Sequence, residues 1–147
     1  MDVGRLVADE DAAWRELRDV LDRMTLEQLE RPGLTPDGWS VKDAMFHIGA
    51  WMADCAGQLE RMRMGTFQDR VDTVEDIERQ NREWFELSRT LDLATVRTEL
   101  IAARTWMLHE FAALADVIPS AWEWFEESGP IHYRKHVGEL QAWADRP

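Results

Sequence analysis

The sequence predicts an all-α bundle built as one domain over residues 1–147. Three observations carry this reading. Apolar residues recur at three- and four-residue spacing along four or five stretches, the signature of amphipathic helices. Capping sequences open these stretches, and breaks rich in glycine, proline and polar residues separate them. No stretch alternates as a strand would, no glycine-rich phosphate loop is present, and no unit repeats at a solenoid period.

The first stripe is Leu6, Val7, Trp14, Leu17, Val20, Leu21 and Met24, a helix over residues 5–24. Thr25 and Gln28 have the spacing of a capping box for one short turn, which Pro32 and Gly33 stop; Thr35-Pro36-Asp37-Gly38 is a turn by composition. Ser40 and Asp43 form a second capping box and open the strongest helix. Its inner line is Val41, Ala44, Met45, Ile48, Met52, Cys55, Leu59 and Met62. After a polar break from Gly65 to Asp72, Thr73 and Asp76 cap a third helix, with Val74, Ile77, Trp84 and Ser88 on its inner line and Asn81 among them. Asp92 caps a fourth, whose stripe is Val96, Leu100, Ala103, Met107, Phe111 and Leu114, and Pro119 ends that region. The aromatic and acidic segment 120–128 has no clear period. Ser128-Gly129-Pro130 sets up a last helix running to about Trp143.

Composition narrows the function. With 45% hydrophobic and 31% charged residues the chain is a folded protein, not a disordered one. Seventeen basic against 29 acidic residues give a net charge of −12, which disfavours nucleic acid and anionic membrane surfaces as partners. No apolar run approaches the roughly 18 residues of a membrane span. The acidic start MDVGRLVADED is unlike a signal peptide, and Cys55 is the only cysteine. A reducing cytoplasm is therefore the expected location. Arginine dominates the basic residues, which points to a GC-rich bacterial genome.

The four histidines are the first place to look for chemistry. His132 and His136 stand one helical turn apart on the line that continues through Leu140 and Trp143, so both face inward. Two such imidazoles can share one transition-metal ion if a third ligand comes from elsewhere, and His47, beside the core line of the second long helix, is the candidate. Three imidazoles would leave a coordination position for water or substrate. The same spacing also suits hydrogen-bonded core histidines. Zinc, nickel, iron(II) and cobalt all accept imidazole, with zinc and nickel as the leading expectation. His109 lies off its helix's stripe and is read as solvated.

Pro36-Asp37-Gly38-Trp39-Ser40-Val41-Lys42-Asp43, followed by His47-Ile48 and Trp51, resembles the signature second helix of the DinB-like superfamily. His132-Tyr133, His136-Val137, Glu139-Leu140 and Ala142-Trp143 resemble its closing helix, and the helical pattern between them fits across the whole chain. The resemblance implies an up-down-down-up four-helix bundle with additional short helices, and a metal held by His47, His132 and His136. Relatives include bacillithiol and mycothiol S-transferases, a mycothiol-dependent maleylpyruvate isomerase and colibactin-resistance proteins of the ClbS type. The resemblance therefore implies a metal-dependent transferase or hydrolase acting on a small molecule, with a low-molecular-weight thiol as a cosubstrate. The resistance branch supplies the alternative, a nonenzymatic binding or sequestration protein on the same bundle. Homodimers recur among such relatives, so self-association is an expectation as well.

Other residues take two readings each. Asn81 could orient a substrate or bond to a neighbouring helix. Glu139, three residues after His136, could accept from that imidazole or be solvated. Trp122, Trp124 and Phe125 could wall an apolar substrate pocket or cover a dimer interface. Trp14, Trp84 and Trp143 are read as core, Tyr133 as packing against another helix, Trp39 as a staple before the capping serine, and Cys55 as an inert core thiol.

Overall fold

Every regular element in the computed structural model, which describes residues 1–147 throughout, is helical. Seven α-helices follow in order: α1 (Val3–Asp22), α2 (Leu26–Glu30), α3 (Val41–Met64), α4 (Val74–Ser88), α5 (Leu93–Ala112), α6 (Pro119–Glu126) and α7 (His132–Ala144). None is long and apolar enough to cross a membrane. Packing gathers the chain into two compact units, Met1–Val41 with Val117–Pro147, and Lys42–Asp116.

In the first unit α1 and α7 pack together. Asp2 caps α1 by accepting the Arg5 N–H at 3.0 Å. The helix buries Leu6, Glu10, Ala13, Trp14, Leu17, Val20 and Leu21, while Val7, expected inside, is 38% exposed. Each fully buried leucine of such a face stabilises the fold by about 1.5–3 kcal/mol. Across from it Tyr133 of α7 is fully buried, sets its ring edge-on to Trp14 at 5.6 Å, and donates its O–H to Glu10 Oε1 at 3.0 Å. Arg134 reaches Asp9 with two N–H donors at 2.8 and 2.9 Å.

Short α2 fastens the far end of α7. The Thr25–Gln28 capping box forms as the sequence predicts. Gln28 then donates to the Ala144 carbonyl at 3.0 Å, and Trp143 Nε1–H donates to the Gln28 carbonyl at 2.7 Å. In the following turn Gly38 N–H reaches the Thr35 carbonyl at 3.0 Å with φ +86°, a conformation that suits glycine. Pro119, expected only to end a region, occupies the first turn of α6, where its missing N–H has no intrahelical role. The segment left unassigned by pattern is thus helical. A widened turn at Glu127–Ile131, broken at Gly129 (φ −99°, ψ −108°) and carrying Pro130, joins α6 to α7, so the last helix begins at His132.

In the second unit α3 has α4 and α5 as neighbours. Gly49 lets α5 come close, since a Cβ there would stand 3.3 Å from Leu100 Cα. The α3 line is buried from Val41 to Leu59, and Val96, Leu100, Ala103, Met107 and Phe111 of α5 are buried too. Asp43 accepts the buried Ser88 O–H at 2.6 Å, and Lys42 donates to the Leu91 carbonyl at 2.6 Å. The Thr73–Asp76 box and the Asp92 cap both form. The predicted inner line of α4 is corrected: Val74 is 72% exposed, Ile77 is 38% exposed, Trp84 is half-buried, and only Ser88 is enclosed. Periodicity identifies which residues share a face, not how deeply that face is covered.

Candidate metal centre

The first two turns of α7 present His132 and His136, both half-buried, with ring centroids 4.8 Å apart at an interplanar angle of 68°. Their Nε2 atoms are 3.1 Å apart, and Glu139 Oε1 lies 2.7 Å from His136 Nδ1. A carboxylate only accepts, so Nδ1 of His136 carries the proton in this pair and its Nε2 keeps the lone pair when the ring is neutral. One turn of helix has thus placed two imidazole nitrogens together, with one tautomer set by a carboxylate behind it.

This pair fits an ion. The 3.1 Å separation falls between the roughly 3.0 and 3.4 Å edges of octahedral and tetrahedral sites with bonds of about 2.1 Å. His47 is buried on α3, in the first two turns, between Ala44 and Ile48 of the core line. His47 stands on α3 in the second unit, and His132 and His136 stand on α7 in the first. A set of three imidazoles suits zinc, nickel, cobalt or iron(II) better than the hard cations, which prefer oxygen. His109 is exposed on α5, as its place off the stripe implies.

The remaining candidates separate by environment. Asn81 accepts the Trp51 Nε1–H at 2.9 Å, a bond between α4 and α3. Trp122 and Trp124 are half-buried on α6, whereas Phe125 is fully buried core. Cys55 is buried, Trp14 and Trp143 are core, and Trp84 is only partly covered.

Several polar residues are buried or paired in ways that periodicity does not signal. Glu10 is fully buried, and its position four residues after Leu6 and four before Trp14 put it on the apolar stripe of α1. Glu110, 4% exposed, receives Arg63 Nε–H at 2.8 Å and Nη2–H at 3.3 Å. Those hydrogen bonds, opposed by burial and helped by the guanidinium charge, hold the Glu110 carboxyl below its ordinary 4.5. Arg70 bridges Asp54 and Asp72, which raises its own already high value, chiefly through the hydrogen bond to Asp54.

Residues 11–140 match the sequence pattern of the DinB superfamily. No curated protein and no solved structure matches the chain. The matched segment takes in His47, His132 and His136, and the chain belongs to the DinB superfamily.

Proposed function

We propose that this protein is a metal-dependent enzyme acting on a small molecule, its divalent transition metal held by His47, His132 and His136. The observation that carries the reading is the His132–His136 pair, with Nε2 atoms at 3.1 Å and Glu139 behind His136. The chain's own residues divide the work. Glu139 holds the Nδ1 proton of His136, directs the opposite lone pair outward and makes that nitrogen the better donor. His132 would offer its Nε2 as the second donor with its proton on Nδ1, and His47 would add a third neutral donor without adding charge. An ion bound there supplies Lewis acidity and generates a nucleophile from water or a thiol near neutral pH. With three protein ligands, a position remains for the small molecule. A low-molecular-weight thiol is the cosubstrate class, which makes conjugation or detoxification of an electrophile the reaction to screen.

The first test is metal content by plasma mass spectrometry on protein purified without a metal-affinity resin, beside a His132→Ala, His136→Ala double variant and a His47→Ala variant. Near one equivalent in the wild type, little in the double variant and a reduced amount in His47→Ala are the expected results. Negligible metal in every sample after reloading would overturn the reading and favour a metal-free binding or sequestration protein. A metal-loaded protein inactive on all thiol and electrophile pairs would remove the transferase assignment and leave the metal site standing.

A further inference from the structure

A cavity of about 520 Å³ opens in the second unit, walled by α3, the 65–73 loop and α4. Its size falls within the roughly 300–1,000 Å³ of small-molecule sites. Trp51 and Trp84 make one corner, meeting edge to face with centroids 4.9 Å apart and planes at 86°. The Trp51 ring is held in place because its Nε1–H is bonded to Asn81. The walls of this corner are therefore set before any ligand arrives.

The charge around the corner has one sign left over. Asp54, Asp72, Asp76 and Glu83 line the cavity against two guanidiniums, those of Arg70 and Arg79, leaving two carboxylates in excess. Both guanidiniums are already engaged. Arg70 donates to Asp54 at 2.7 and 3.2 Å and to Asp72 at 2.9 Å, and Arg79 donates to Asp76 at 2.6 Å. An incoming anion would have to displace these bonds and face the unbalanced carboxylates. An incoming cation disturbs none of them.

We infer that this cavity is a second small-molecule site, one that takes an organic ammonium cation with an apolar body. The cationic head lies over the Trp51–Trp84 corner, where the negative ring faces attract it. Glu83 and the excess carboxylate charge exclude anions, and the chain's net charge of −12 draws cations toward the surface. The apolar body rests on Ile77, which lines the same cavity and is 38% exposed without a ligand. The inference does not depend on the metal reading, since none of the three histidines lines this cavity.

The experiment is isothermal titration calorimetry of the full chain with benzyltrimethylammonium, using neutral benzyl alcohol and anionic benzoate as comparators. The cation is expected to bind at least about tenfold more tightly than either comparator. Trp84→Leu is expected to weaken it about tenfold and Glu83→Gln about threefold, with His132→Ala, His136→Ala unchanged. A titration followed on the Trp51 indole N–H resonance gives a second readout should Trp84→Leu fold poorly: that resonance moves with the cation in wild type and in Glu83→Gln. Equal binding of benzoate or benzyl alcohol overturns the assignment of ligand charge. Full affinity in a folded Trp84→Leu, a stationary Trp51 resonance, or no heat with the cation overturns the site itself.

Discussion

Tyr133 of α7 and Trp51 of α3 make the same kind of contact with opposite consequences. Each is an aromatic ring whose polar tip donates to a side-chain oxygen on a neighbouring helix, Glu10 for Tyr133 and Asn81 for Trp51. Each also meets a tryptophan edge-on, Trp14 and Trp84 respectively. Tyr133, Glu10 and Trp14 are enclosed, so the whole arrangement is spent on joining α1 to α7. Trp51, Asn81 and Trp84 are each only half-buried, and two of the three line a cavity. Enclosure rather than contact type separates a structural joint from a surface that can receive a ligand.

Truncating the two rings tests this directly. Tyr133→Ala should destabilise by about 3–5 kcal/mol in urea unfolding, because a fully packed ring leaves a cavity that its neighbours cannot fill. A loss as small as that of Trp51→Ala would erase the distinction. Removing only the polar tip gives a smaller contrast. Tyr133→Phe should cost about 1–3 kcal/mol, since the lost bond serves a buried carboxyl group, whereas Asn81→Ala should cost about 0.5–1.5 kcal/mol, as water reaches the freed indole N–H. If the two losses match, burial does not govern the bond.

The smallest effect comes from an intermediate case, Glu110, whose carboxylate is enclosed while its Arg63 partner is 38% exposed and screened. The Glu110 carboxyl is depressed below 4.5 in the folded chain, so the pair's stabilisation is complete above that pH and fades as pH falls through the folded value. Thermal melts of Arg63→Gln and wild type should therefore differ near neutral pH and converge in acid. A gap that stays constant down to acid pH would show that Arg63 acts by packing alone.

The difference between the two aromatic joints also marks what sequence can carry. Helix starts were legible because a cap is a local device: Thr25 with Gln28, Thr73 with Asp76, and Asp92 each satisfy amides within three residues. The His132–His136 pair was legible for the same reason, since one helical turn fixes their spacing. The burial of Glu10 was not, because it depends on Tyr133, 123 residues away, and a charged residue on an apolar stripe looks like an interruption. The exposure of Val74 escaped for the converse reason: its face is apolar in pattern, and only the fold determines what covers it. Pro119 looks like a stop in sequence yet opens α6, because a proline that cannot continue one helix is well suited to begin another.

The Arg70 clamp has a consequence of its own. The guanidinium spans from Asp54 on α3 to Asp72 in the loop and is 40% exposed, so the loop is moored to the helix partly by electrostatic attraction that dissolved ions can reach. Raising ionic strength weakens such attraction, while the tryptophan edge contact in the same cavity is indifferent to it. Brine and fresh buffer should therefore hold the same helices but different loop mobilities, making one wall of the cavity adjustable by salt while its tryptophan corner stays fixed.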